Sequence, residues 1–308
     1  MTTMIIDTDT ASDDAVAIAM ALRSSEVEVA AITTVAGNCN FEQATRNALF
    51  TAEMCRSDVP VYRGSAGPLR VSPEYATWFH GEDGLGDRGY PPPRGRHRAL
   101  DGVDALVSTI RENPGCVLVT LGPLTNVALA LRQAPDIVES VGRCVIMGGA
   151  ANTVGNVTPA AEFNLWFDPH AASEVFRSGL PIEMVGWELC RDEAGLDAAE
   201  QAHVRAIGTE LADFFLDCNA TAIAATKKQS GSDSLELPDP VAMAIALDKK
   251  NVVKHSSKHY VAIEADSPLT RGMSVVDSLD IMNEAPNTEI IWGIDIARFK
   301  EMVYEAAR

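Results

Sequence analysis

Residues 4–20 read MIIDTDTASDDAVAIAM, and the reading of this stretch decides the fold. Met4 to Ile6 is a short apolar run of the kind that forms a buried strand. It ends in Asp7, Thr8 and Asp9, passes through a polar loop at Thr10 to Ser12, and gives way to Asp13, Asp14 and the small apolar run AVAIAMAL. Ser12 is expected to cap a helix, with Asp13 and Asp14 in the first turn, where carboxylates are favoured. Strand alternation sets Asp7 and Asp9 on one side. Four carboxylates thus fall within eight residues at a strand-to-helix turn. Two acids beside a helix start are explained by capping and solvation. Four converging at the carboxyl end of a buried strand repel one another unless a cation sits among them. All-oxygen ligands indicate a hard cation, calcium or magnesium, rather than zinc.

Outward from this turn the chain alternates. Val27–Val35 is a β-branched strand, residues 41–56 carry a helical pattern, and 59–64 is a short strand. Residues 65–98 lack periodicity and hold Pro91 to Pro93 and WFHGEDGLGD; a loop of that length inside a compact domain is usually functional. A helix at 100–111, a strand at 116–120, a helix through Arg132 and a strand at 142–147 follow. A polar loop spans 150–163, a helix starts at Asp168, and a strand covers 181–185. Residues 197–226 are largely helical, 227–238 form a connection, DPVAMAIAL opens a helix, and strands near 259–264, 271–276 and 288–292 precede a last helix from Asp295. Alternation of this kind predicts one α/β domain over 1–308, with a mostly parallel, Rossmann-like central sheet flanked by helices and an antiparallel extension in the last third. Ligands in such sheets bind at the carboxyl ends of the strands.

Composition narrows the partners. Net charge is −18, which disfavours nucleic acid and anionic membrane surfaces but would not repel a neutral small molecule. No apolar run approaches the length of a membrane span, and the N-terminus enters a strand without a signal peptide. Six scattered cysteines without a CxxC pair indicate reduced thiols in a cytoplasm. Asn38, Asn156, Glu162 and Asn164 are short polar groups on strand-end loops, suited to a hydroxyl-rich ligand, although each alone reads as a turn residue.

The signature DxDxxxDDxxA at Asp7–Ala17 resembles the nucleoside hydrolase family, inosine-uridine preferring members included, whose usual form is DxDPxxDDAxA. Thr10 stands where the family has Pro. VAGN at 35–38, GPLTN at 122–126, MGG at 147–149, GN at 155–156 and EFN at 162–164 extend the resemblance, in order, over most of residues 4–245. It implies a Ca2+ cofactor held by Asp9, Asp14, the main-chain carbonyl of Leu121 and Asp239, with Asp7 supporting or joining them. Asp239, in LPDP, would otherwise read as an N-cap. The sugar contacts it implies are Asp13, to the ribose 2-hydroxyl, with Asn38, Asn156, Glu162, Asn164 and Asp239; Met147 packs on the ring. Asp168 belongs to the same pattern but is explained by a helix start. The implied reaction is Ca2+-dependent hydrolysis of the N-glycosidic bond of a ribonucleoside or related N-riboside, as in purine or pyrimidine salvage, by a homodimer or homotetramer. Asp9 would be the general base, a role worth roughly 10²–10⁴ in rate, on the way to an oxocarbenium-like state.

The leaving-base side departs from the pattern. Many relatives carry a His directly before the late calcium Asp; here that residue is Pro238, with no proton to give. His80, in WFHGEDGLGD, is the remaining candidate acid or base-binding group. Trp78 and Phe79 would stack on a base or close the pocket. Lys227 and Lys228 occupy a segment where some relatives use Tyr and His, and Trp187 and Glu188 follow a strand where the family more often has GLD-T. Two other classes fit parts of the pattern. A haloacid-dehalogenase-like Mg2+ phosphatase also begins strand–DxD, but it wants Thr or Val where Ala11 stands and has no place for Asp13 and Asp14. A calcium-dependent nucleoside or sugar sensor would keep the cage without turnover.

Overall fold

A computed structural model describes residues 1–308. Its strands are β1 (Thr2–Thr8), β2 (Val27–Thr34), β3 (Val61–Arg63), β4 (Cys116–Thr120), β5 (Val141–Met147), β6 (Ile182–Val185), β7 (Val253–Ile263), β8 (Ser274–Asp277) and β9 (Thr288–Ile294). They form one sheet in the order β3-β2-β1-β4-β5-β6-β9-β7-β8. Every pairing from β3 to β9 is parallel, and β7 runs antiparallel to both β9 and β8. The α/β class, the parallel centre and the antiparallel extension are as the alternation predicts. The chain-order reversal falls between β1 and β4, the crevice in which doubly wound sheets bind ligands.

β1 is central because Met4, Ile5 and Ile6 are apolar on both faces and wholly buried. Met4 and Ile6 face one cluster, built on α1 (Ser12–Arg23) and α11 (Pro238–Val252); Ile5 faces the other, with α4 (Gly102–Glu112), α5 (Thr125–Gln133) and α7 (Pro169–Phe176). α1 and α11 lie against each other. Alternate alanines, Ala15 to Ala21 on one and Ala242 to Ala246 on the other, are buried to 4 % exposure or less, so the two axes approach closely. The remaining helices are α2 (Phe41–Met54), α3 (Thr77–His80), α6 (Phe163–Phe167), α8 (Ala198–Ala206), α9 (Glu210–Asp217), α10 (Ala220–Ser230) and α12 (Ile296–Ala306).

Several local expectations change. Ser12 is the first helical residue; Ala11 is the N-cap, and its N–H donates to the Asp14 carboxylate at 2.9 Å. Asp14 therefore does the capping and frees the Ser12 hydroxyl. β1 ends at Thr8, so alternation does not govern Asp9, and Asp7 and Asp9 turn to different surroundings. The 65–98 segment contains α3 and a run of glycine turns in the left-handed region at Gly81, Gly84, Gly86 and Gly89. β7 starts six residues earlier than the apolar pattern suggests, because its first half, Val253–Lys258, is partly exposed and polar. The 227–238 connection is shorter, since α10 reaches Ser230.

Candidate active site

Two helix starts and a strand end deliver the acids. α1 supplies Asp13 and Asp14, its neighbour α11 supplies Asp239, and one carboxylate oxygen of each lies within 4.8 Å of the others. Asp9, in the turn after β1, joins them electrostatically: burial, then the charges of Asp14 and Asp13, push its carboxyl well above the usual range. Asp239 is pushed well up by burial and then by Asp14, Asp13 and Asp9. Asp13 is pushed up to about 7 by burial and then by Asp14. Asp14 is raised by burial, against the Thr8 hydroxyl at 2.5 Å and the Ala11 N–H. None of the four has a Lys or Arg partner, so their mutual repulsion is uncompensated by side chains.

The donor set fits a hard divalent cation. Asp9 Oδ2 accepts from the Asn38 N–H at 2.5 Å, whereas Asp9 Oδ1 is buried without any partner. A Cβ at Gly122 would sit 2.8 Å from that orphaned oxygen, and one at Gly37 would collide with Oδ2, so both glycines are cut to the carboxylate. An unpaired buried carboxylate oxygen is costly unless a cation meets it. The Leu121 carbonyl accepts from Asn164 Nδ2 at 3.0 Å, which leaves a second lone pair. Thr10 replaces the stiffness of a proline with hydrogen bonds: its N–H donates to Thr8 Oγ1 at 3.0 Å. Asn47 Nδ2 donates both to the Thr10 carbonyl at 3.0 Å and to the Asp83 carbonyl at 2.9 Å.

Asp7 stands beside the acidic group, in the supporting place the sequence reading allowed it. Its carboxylate accepts from Thr33 Oγ1 at 2.5 Å and Asn126 Nδ2 at 2.7 Å. Burial pushes it up to about 7, and no other acid contributes. Both bonds go to Oδ1 and tie β2 and α5 to β1, while Oδ2 is buried without a partner, so Asp7 supports the acidic turn from beside it. Asp13, read from the sequence as a sugar contact, lies in the acidic cluster as well as lining the pocket.

Above the acids opens a pocket that Asp13 and Asp239 line directly. Asp13, Asn38, Met147, Asn156, Glu162, Asn164 and Asp239 all line it, as do His80 and Leu121. Glu162 caps α6, accepting from the N–H groups of Asn164 at 2.9 Å and Gly149 at 2.9 Å; burial pushes it up to about 7. Asn164 Nδ2 also reaches the Met147 carbonyl at 3.2 Å, tying the ends of β4 and β5 together. Asp168 caps α7 and accepts from Thr125 Oγ1 at 2.7 Å and the Leu69 N–H at 2.8 Å, a structural role.

The far side of the pocket is walled by Trp78, Phe79, Phe163 and Trp187. His80 is 8 % exposed, not a surface residue; its Nδ1 lies 2.8 Å from Ser12 Oγ and 3.9 Å from Asp13 Oδ1. Burial lowers it to about 3, so it stands neutral and hydrogen-bonds without carrying a charge. Pro238 lies beside Asp239 in the lining. Lys227 pairs with Asp233 at 2.8 Å in solvent, and neither it nor Lys228 reaches the pocket. Trp187 borders the pocket; the Glu188 carboxylate instead accepts from the Ala151 N–H at 3.2 Å. The sequence reading missed Asn219, Gln229 and Glu236, which also line it. Only the tertiary fold brings α10 and the segment before α11 over this opening, and no local pattern marks these residues.

The family model described as inosine-uridine preferring nucleoside hydrolase matches residues 4–301. The chain is 37 % identical over 311 residues to the pyrimidine-specific ribonucleoside hydrolase RihA of Salmonella arizonae, covering 98 % of this chain and 97 % of the relative. It is 37 % identical over 305 residues to an uncharacterised Schizosaccharomyces pombe protein, with the same coverage. Among solved structures, a plant nucleoside hydrolase superposes with a TM-score of 0.93 at 29 % identity. The purine-preferring ribonucleoside hydrolase from Gardnerella vaginalis superposes with a TM-score of 0.92 at 31 % identity. Each of these two superpositions covers 99 % of this chain and 98 % of the other.

Proposed function

The chain belongs to the inosine-uridine preferring nucleoside hydrolase family and is an N-ribosyl hydrolase, EC 3.2.2.-; we propose that it cleaves ribonucleosides with Ca2+ held by Asp9, Asp14, Asp239 and the Leu121 carbonyl. The observation that carries this reading is Asp9 Oδ1, buried and unpartnered among three further acids beneath the pocket. Ligands drawn from four separate places, the turn after β1, α1, the turn after β4 and α11, form the kind of roomy oxygen cage that suits Ca2+ better than the smaller Mg2+. When bound, such an ion orients vicinal sugar hydroxyls and makes a nearby water more acidic.

The chain's own residues supply the rest. The Asn38 N–H fixes the Asp9 carboxylate through Oδ2, and Asp9 would serve as general base toward water. Asn38, Asn164 and Asp13 offer the donors and acceptors a ribose requires, and Met147 gives the ring an apolar floor. The buried acids favour positive charge developing on the sugar. Trp78, Phe79 and Trp187 border the base, and His80 meets it as a neutral polar group. The named relatives differ in base preference, pyrimidine in one and purine in another. The substrate class is therefore the ribonucleoside, with the base chosen by the aromatic side of the pocket.

No helix is long and apolar enough to cross a membrane. All six cysteines are free and buried, which fits the reducing cytoplasm in which we place the enzyme. Exposed apolar side chains at Leu279 and Ile281 fit association into a homodimer or homotetramer. The test is a panel of purine, pyrimidine and modified ribonucleosides assayed for reducing sugar. Free ribose should appear, stop on chelation and return with Ca2+. Saturable binding without product would select the sensor instead.

A further inference from the structure

Ser12 is wholly buried, yet it neither caps α1 nor contacts the acids. Its hydroxyl makes one hydrogen bond, to His80 Nδ1 at 2.8 Å. A buried hydroxyl proton without an acceptor is costly, and Nδ1 is the acceptor within reach. The proton of Ser12 therefore points at Nδ1, and the imidazole must carry its own proton on Nε2. Asp13 Oδ1, at 3.9 Å from Nδ1, is too far to claim a hydrogen bond in the opposite sense. Nε2 makes no hydrogen bond within the protein, and His80 lines the pocket.

Both partners are held in place. The Ser12 carbonyl accepts from Asn219 Nδ2 at 3.3 Å and Cys218 Sγ at 3.4 Å, which anchors the start of α1 to the α9–α10 junction. The His80 N–H donates to the Ala76 carbonyl at 3.1 Å, and the His80 carbonyl accepts from the Gly86 N–H at 2.9 Å. The imidazole is thus fixed at its backbone and at one ring nitrogen, with the other free.

We infer that Ser12 is a positioning residue: by donating to Nδ1 it locks His80 in the tautomer that presents an Nε2–H donor to an acceptor atom on the leaving base. The inference rests on the ribonucleoside reading of the pocket. It explains how a chain with Pro238 beside Asp239 still offers the departing base a hydrogen bond. The chemistry recognised is a base acceptor, a carbonyl oxygen or ring nitrogen, met by a neutral donor.

The experiment is nitrogen NMR of the full-length protein labelled with 15N-histidine, with H80Q assigning the His80 signals, alongside steady-state kinetics. His80 is expected as the Nε2–H tautomer. S12A should abolish that single tautomer and lower kcat about tenfold, the order of one neutral hydrogen bond, with KM little changed. S12T, which keeps the hydroxyl, should restore both, and S12A should add nothing in an H80Q background. An Nδ1–H tautomer in the unmodified protein overturns the proposal. So does an S12A rate loss of equal size with and without His80. Should S12A fail to fold, the unmodified protein's spectrum and S12T decide. If no ribonucleoside is hydrolysed, the functional reading falls, while the tautomer still decides the role of Ser12.

Discussion

The two ends of the pocket are built on different principles. At the acidic end every group sits on the end of a strand or the first turn of a long helix. Asp9, Asp14 and Asp239 are 0–3 % exposed, and backbone N–H groups or hydroxyls fix Asp9 and Asp14. At the aromatic end the groups come from the four-residue α3, the start of α6, the turn after β6 and the α10 face. Trp78 is 58 % exposed there. The difference teaches where a site can tolerate change. Bond breaking needs charges held to fractions of an ångström, so it is tied to the sheet. On the proposed reading, choice of base needs only a wall of suitable shape and is left to loops, and the named relatives differ in the base they prefer.

The strongest way to break this contrast is Asp9→Ala. It should fold, lose Ca2+ affinity by calorimetry, and lose roughly 10²–10⁴ in turnover by reducing-sugar assay. Near-normal hydrolysis would remove Asp9 as the base. At the other end, Trp78→Ala should change kcat/KM by only about two- to tenfold, and by different factors for purine and pyrimidine ribonucleosides. A uniform loss over all bases would erase the distinction between the ends. Removing the cation with a chelator should lower Tm by roughly 5 °C, recovered on adding Ca2+ in excess, because an ion bound only by the folded state stabilises it by mass action. A midpoint that ignores Ca2+ would argue against a cage. The smallest effect is expected from Asp7→Asn: Ca2+ affinity within about threefold, since a neutral amide can keep one of the two hydrogen bonds Asp7 accepts. Loss of Ca2+ binding in that variant would return Asp7 to the ligand set.

The contrast also explains what could be read from the chain alone. The acids at 7–14 are local, and their spacing forces the question of a cation before any fold is known. Alternating apolar runs give the parallel sheet, because its central strands, β4 and β6 throughout and β1 from Met4 on, are buried on both faces. Whether Asp7 supports or joins the ligands was left open because it is chemically identical to Asp9; only the position of Thr33 and Asn126 on neighbouring elements separates them. Asn219 and Glu236 were invisible because the packing of α10 and of the segment before α11 over the pocket is a long-range event with no periodic trace. Ser12 was misread as a cap because Ser at a helix start usually caps, and Asp14 had already taken that task.

One amide ties the two ends. Asn47 grips the main chain at Thr10, inside the acidic turn, and at Asp83, just past His80. It works as a rivet between the acidic turn and the segment that carries His80. Should the proposed ion be removed and that turn relax, the segment would slacken with it, so nucleosides should then bind poorly until the ion is returned.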